Sequence, residues 1–249
     1  MFGWAGRFLG AVADRIWPRV CAVETCARPS DRPGRHVCSE CFAGLPFHGT
    51  DDCCRICGTT IASKVHHEFL CEVCSKTPPP YEFARSATVY DAPVSQLVND
   101  FKFRRAVWLA EDLADLLEGA VRAKLEFPAI DVVVPVPLSR ERLRERGYNQ
   151  SAILARALGR RLGRRVDERS FRRIRDTEHQ SRLSGEERSK NLVGAFKTVD
   201  TRYIRGRTVL LVDDVMTSGN TFSHCAKALL DGGAVRVWCA SVARRLLEG

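Results

Sequence analysis

The sequence predicts an α/β protein whose sheet is doubly wound and mostly parallel, preceded by a small cysteine-rich domain. Three observations carry this. From residue 81 to residue 249, apolar runs of strand length alternate with segments of helical spacing, the pattern of strand–helix–strand units with helices on both faces of one sheet. Nine of the eleven cysteines lie between Cys21 and Cys74. Between the two regions stands Thr77-Pro78-Pro79-Pro80, a stiff connector, so the boundary is expected near residue 80, with parts over 1–80 and 81–249. At 249 residues, 45% hydrophobic and 28% charged, the chain is long enough to bury a full α/β core beside such an accessory domain.

At the start, Trp4, Phe8, Val12 and Ile16 recur four apart, an amphipathic helix spacing that suits packing on the chain's own surface. Arg7, Asp14 and Arg15 interrupt any uniform apolar run and no small-residue cleavage site follows, which disfavours a signal peptide. No stretch is apolar for long enough to be an integral membrane segment.

The cysteines fall into knuckles. Cys38/Cys41, Cys54/Cys57 and Cys71/Cys74 are each separated by two residues, and Cys21/Cys26 form a wider fourth pair, so that two thiolates of each pair can share one tetrahedral ion. Four knuckles hold two zinc ions. Pairing in chain order gives one site from Cys21, Cys26, Cys38 and Cys41 and another from Cys54, Cys57, Cys71 and Cys74; interleaved pairing is the alternative, and Cys53 competes with Cys54 as ligand. His36, His48, His66 and His67 are read as loop surface residues. Disulfides are the rival use, but the repeated short spacings favour metal in a reducing, cytoplasmic compartment. Cys225 and Cys239 read as core thiols.

In the second part, strands are expected at 84–90, 130–136, 208–212 and 235–242, and helices at 93–103, 106–125, 150–162 and 223–230. Ligands of such sheets bind at the carboxyl ends of the strands. There the most informative segment lies: Val209 to Val212 make a buried strand, Asp213 and Asp214 follow it, and Val215-Met216-Thr217-Ser218-Gly219-Asn220-Thr221 turn the chain into a helix. The loop can direct backbone N–H groups and the Thr217, Ser218 and Thr221 hydroxyls at a phosphate, with the positive end of a helix behind them. The two carboxylates can hold vicinal ribose hydroxyls. A Walker A loop is excluded, because no Lys follows the glycine. The bland alternative is a strand-end turn with Thr as helix N-cap.

The net charge of +9 suits nucleic acid or a polyanionic small substrate. Between Arg140 and Arg175 thirteen Arg face four acids, and arginine forks match phosphate oxygens. For Arg160, Arg161, Arg164 and Arg165 a solvated helix face is the competing reading. Arg140 to Asn149 is expected to be a loop carrying guanidinium groups to the strand ends. Residues 175–191 are polar and weakly patterned, as in a mobile lid.

The segment from Val209 to Thr221 resembles the phosphoribosyl-pyrophosphate motif of type I phosphoribosyltransferases, with Thr-Ser-Gly-Asn-Thr where that family usually has Thr-Thr-Gly-x-Thr. Phe101-Lys102-Phe103, Val134-Pro135-Val136-Pro137-Leu138, Arg146-Gly147-Tyr148-Asn149-Gln150, Gln180-Ser181-Arg182-Leu183, Arg188 through Asn191 to Phe196, and Asp213 to Thr221 together look like the ComF family of competence-associated, phosphoribosyltransferase-like proteins. A double zinc ribbon is also that family's pattern, from which the wider Cys21/Cys26 pair departs. The resemblance implies 5-phosphoribosyl 1-pyrophosphate as ligand with magnesium, and transfer of the ribosyl phosphate to an acceptor. Asp213 and Asp214 would hold the ribose, Val215 to Thr221 the 5-phosphate, and Lys102, Arg140, Arg146, Arg182 and Arg188 the pyrophosphate. The other implied class is a competence factor that binds single-stranded DNA, or a DNA-uptake helicase or channel, through the ribbons and the arginine-rich surface.

Overall fold

The computed structural model describes residues 19–49, 53–60, 69–124, 129–175 and 192–246. The expected N-terminal helix over 1–18, His66, His67 and most of the polar stretch at 175–191 lie outside the described residues.

Five parallel strands form the central sheet: β1 (Phe83–Val89), β2 (Val132–Pro135), β3 (Arg165–Val166), β6 (Thr208–Met216) and β7 (Arg236–Arg244), in the order β1-β7-β6-β2-β3. β6 and β7, nine residues each, lie at its centre and are nearly continuous in buried apolar residues, as strands covered on both faces must be. On one face pack α3 (Val94–Phe103), α4 (Ala110–Lys124) and α6 (Gln150–Leu162), whose Leu97, Phe101, Leu113, Leu117, Leu154 and Leu158 meet Leu210, Val212 and Val242. On the other, α7 (Asn220–Asp231) places Phe222, Cys225 and Leu229 against Val209, Leu211 and Cys239. Cys225 and Cys239 are buried core thiols, as expected. That second face is completed by an antiparallel ribbon of β4 (Phe171–Arg173) and β5 (Phe196–Thr198), in which Phe171 and Phe196 stack with ring centroids 6.0 Å apart. β3, β4 and β5, of two or three residues, were not foreseen, because so short a strand shows no alternation.

Two further elements differ from the sequence reading. The segment expected as one helix from 106 opens with a 3-10 turn, Val107–Leu109, before α4. The basic run after Ser139 is a helix, α5 (Arg140–Arg146), not a loop: Ser139 Oγ accepts from the backbone N–H of Arg142, and Gly147 closes it in the left-handed conformation.

The cysteine-rich part docks on the sheet domain in two places. Its first half, which includes α1 (Ser39–Ala43), sits on α4, where buried Asp112 accepts from the backbone N–H groups of His36 (2.9 Å) and Val37 (3.2 Å) and from Arg32. Its second half, ending in α2 (Glu72–Lys76), covers the edge of β1, where the Ala84 N–H donates to the Ile56 carbonyl at 2.7 Å and Arg85 donates to the carbonyls of Arg55 and Ile56. Gly58 is required at that contact, since a Cβ there would lie 2.8 Å from the Ala84 carbonyl oxygen.

Candidate functional site

β6 outruns its apolar stretch. Pairing with β7 continues from Asp213 opposite Ser241 to Met216 opposite Arg244, so the strand expected to stop at Val212 contains both acids. On its other side, β2 ends at Pro135 opposite Val212. Asp213 and Asp214 thus stand in extended backbone paired along one edge only, at the carboxyl end of the sheet where ligands of open α/β folds bind.

The two carboxylates take different partners. Ser151 Oγ, at the start of α6, donates to Asp213 Oδ1 at 2.7 Å, and Lys102 Nζ, near the end of α3, lies 2.9 Å from Asp214 Oδ1. Asp214 Oδ2 is buried with no hydrogen-bond partner, a costly state for a carboxylate oxygen that a ligand hydroxyl or cation would relieve. Burial, and next the neighbouring Asp214, push the Asp213 carboxyl up to about 7, against the opposing pull of Ser151 and Lys102.

Beyond Met216 the chain reverses through Thr217, Ser218 and Gly219. Gly219 is in the left-handed region at φ +82°, and a Cβ on it would lie 2.8 Å from Met216 Cε and 3.2 Å from the Tyr81 hydroxyl. The conformation calls for glycine, and a Cβ would in addition displace the end of the Met216 side chain. It is the N-cap of α7 and has no side chain to cap the helix; the Asn220 N–H donates to Ser218 Oγ at 3.5 Å, and the start of α7 stands beside the exposed Thr217 and Ser218. A helix start of this kind can receive an anion. Asn220 and Thr221 belong to the first turn of α7, which starts earlier than expected.

Around this centre the basic residues divide. Lys102 meets Asp214. Arg140 is exposed at the start of α5. Arg146, at its end, lays its guanidinium 4.9 Å from the Phe103 ring centroid, and its Nη1 is buried without a hydrogen-bond partner. Arg142, not singled out from the sequence, feels the charges of Asp213 and Asp214, which partly offset the lowering of its pKa by burial and by Arg146. Asn149 fixes this corner: its side chain accepts from the Ser151 N–H at 3.0 Å and donates to the Val136 carbonyl at 3.1 Å, while the Tyr148 hydroxyl donates to the Phe101 carbonyl. Ser151 was also missed. Asn149 is legible as a helix cap, but the meeting of Ser151 with a residue 62 positions away is not. Arg182 and Arg188 lie outside the described residues. Arg160 and Arg161 pair with acids of α4, at 2.8 Å and 2.6 Å from Glu111, and Arg165 lies over the Tyr203 ring; these arginines serve the fold.

In the cysteine-rich part, the Sγ atoms of Cys21, Cys26, Cys38 and Cys41, and separately those of Cys54, Cys57, Cys71 and Cys74, all lie within 4.8 Å of one another. Each quartet fits one tetrahedral ion. Pairing is in chain order, and Cys54 rather than Cys53 joins the second quartet. Cys53 instead bridges to Thr60 through the backbone.

Residues 143–247 match the phosphoribosyl transferase domain family. Over 202 residues the chain is 35% identical to DNA utilization protein YhgH of Salmonella typhi, spanning 75% of this chain and 88% of that one. The chain belongs to the ComF family. Competence protein F of Haemophilus influenzae is 34% identical over 213 residues, covering 81% and 88% of the two chains, and competence protein ComFC of Bacillus subtilis 29% over 150 residues, covering 60% and 58%. The two quartets fit the double zinc ribbon of ComF proteins. Among solved structures, an allosteric regulatory enzyme of purine biosynthesis overlaps 52% of this chain and 24% of its own at 21% identity, with a TM-score of 0.36. Among the described residues no helix is long and apolar enough to cross a membrane.

Proposed function

We propose that this ComF protein binds 5-phosphoribosyl 1-pyrophosphate with magnesium and transfers its ribosyl phosphate to an acceptor, in the cytoplasm. The observation that carries the reading is the pairing of a helix start at residues 217–221 with two adjacent carboxylates, the half-buried Asp213 and the buried Asp214, the latter holding an oxygen without a partner. In such a transfer the bond from the anomeric carbon to pyrophosphate breaks as the acceptor bond forms, and positive charge develops on the sugar ring. Asp213 and Asp214 accept hydrogen bonds from the ribose hydroxyls and favour that charge. The helix start, the phosphate cradle of this reading, fixes the 5-phosphate, which positions the ring without any covalent nucleophile. Lys102, near the end of α3, and Arg140 and Arg146, at the two ends of α5, supply positive charge for the departing pyrophosphate. Magnesium, arriving with the substrate, supplies neutralisation of the pyrophosphate charge. The cysteine quartets hold structural zinc, for which four thiolates within reach of one another are the matching donor set.

The names of the relatives, DNA utilization and competence proteins, favour a second reading, in which the same sugar-phosphate site serves a non-catalytic DNA-uptake factor that contacts single-stranded DNA or the uptake machinery. One experiment addresses both. Purified protein is titrated with phosphoribosyl pyrophosphate and magnesium, and pyrophosphate release is followed with a panel of bases. Binding that disappears in the Asp213→Asn/Asp214→Asn double variant, with unchanged circular dichroism, supports the site. Binding without release under any acceptor supports the second reading. Undiminished affinity in the double variant ends both.

A further inference from the structure

Arg244 ends β7 and is 4% exposed, yet among the described residues it has no carboxylate partner. Its Nη1 donates to the Cys57 carbonyl at 2.6 Å and lies 3.2 Å from Met216 Sδ, while its Nη2 is 3.9 Å from Cys57 Sγ. A buried guanidinium costs several kcal/mol unless opposite charge stands near it. Four thiolates around a divalent ion carry a net charge of about −2, and Cys57 is one of the four.

The other end of the contact reaches the phosphate cradle. Met216 immediately precedes Thr217, its carbonyl accepts from the Arg245 N–H at 2.9 Å, and its Cε packs under Gly219. A cavity of about 820 Å³ is lined by Cys57 and Cys74 of the second quartet, by Arg244 and Tyr81, and by Ser218 and Asn220 of the cradle. The first quartet shares none of this. It is anchored on α4, and the arginine beside it, Arg28, is exposed and paired with Glu40.

We propose that Arg244 is the counter-ion of the metal–thiolate centre in the second ribbon and the strut through which that centre holds the phosphate cradle. Metal occupancy of the second quartet, and not of the first, then sets affinity for a sugar phosphate. This rests on residues 217–221 being a phosphate site. It makes Arg244 a positioning residue, and it makes the coupling reciprocal: a phosphate ligand must hold the second metal more tightly by the same factor by which the metal tightens the ligand.

The test uses the full zinc-loaded chain, with ribose 5-phosphate as the probe and a chromogenic chelator to time metal release. In the native protein, saturating ribose 5-phosphate should slow release of one of the two metal equivalents about tenfold and leave the other unchanged, within the usual range of coupling between sites. Arg244→Met should weaken ribose 5-phosphate about tenfold and speed release of that same equivalent, with Arg244→Lys intermediate. Arg28→Met should alter release of the other equivalent only. The proposal is overturned if folded, two-metal Arg244→Met binds ribose 5-phosphate with native affinity, or if both release phases in the native protein ignore a ligand shown to bind. Should the arginine variants fail to fold, the native release phases decide alone. Failure of the native chain to bind ribose 5-phosphate removes the phosphate site itself, and this inference with it.

Discussion

Asp112 and Asp115 on α4, and Asp213 and Asp214 on β6, are two pairs of acids drawn into the protein, and the fold treats them in opposite ways. Around the first pair every need is met. Asp112 accepts two backbone N–H groups and Arg32, and Asp115 is gripped by Arg32, Arg35 and Arg161 at 2.5 Å each. Burial alone would raise the Asp115 pKa, but Arg35 and Arg161 overcome it and hold the carboxyl below its ordinary range. Around the second pair, one lysine, one serine and the Asp214 N–H, 2.9 Å from Asp213 Oδ1, serve two adjacent carboxylates, one oxygen of Asp214 is left over, and Asp213 is pushed up to about 7. A satisfied pair makes an internal joint; a pair with an oxygen to spare has capacity left to accept a hydrogen bond from a ligand.

Substitutions should separate the two. The largest effect is expected for Asp112→Ala, which leaves the His36 and Val37 N–H groups without their acceptor and Arg32 with Asp115 as its one remaining carboxylate where the first ribbon meets α4. A loss of about 3–5 kcal/mol in urea unfolding is expected, as for removal of one partner of a buried pair, with sugar-phosphate affinity unchanged in the folded fraction. A loss below ~1 kcal/mol would mean the joint is dispensable.

Asp213→Asn should act in the other direction. The native carboxyl titrates near 7 and the unfolded one near its ordinary 3.8, so between these values the folded state holds the extra proton. The stability so gained is complete below the unfolded value and is lost as pH rises through 7. Asparagine does not titrate. The variant should therefore come close to the native chain near pH 4 and exceed it by up to about 4 kcal/mol at pH 8, about 1.4 kcal/mol for each unit of the shift, read from melting temperatures across that range. Equal pH profiles would show that Asp213 is not strained. The smallest effect belongs to Arg160→Ala, which breaks a pair with Glu111 whose arginine is 66% exposed, and should cost at most about 0.5 kcal/mol by the same urea assay.

Much of this was written locally. The alternation of Val132 to Val134 and of Val209 to Val212 with helical segments encodes the sheet, because burial on both faces requires continuous apolar strands. The spacings within Cys38/Cys41, Cys54/Cys57 and Cys71/Cys74 encode knuckles, since two residues between thiols place both on one tight turn. Asp213, Asp214 and Gly219 are legible because an acid pair followed by a small polar turn has few other uses. What the tertiary structure decided is every meeting across the chain: which knuckles come together, that Cys54 and not Cys53 joins a quartet, that Lys102 and Ser151 divide the two acids, that β7 draws β6 out to Met216, and that Arg244 stands between Cys57 and Met216. Local patterning specifies which side of an element is apolar and where it turns. Partners far apart in sequence are set only when those faces pack, because the distances that make an ion pair or a metal site do not exist until then.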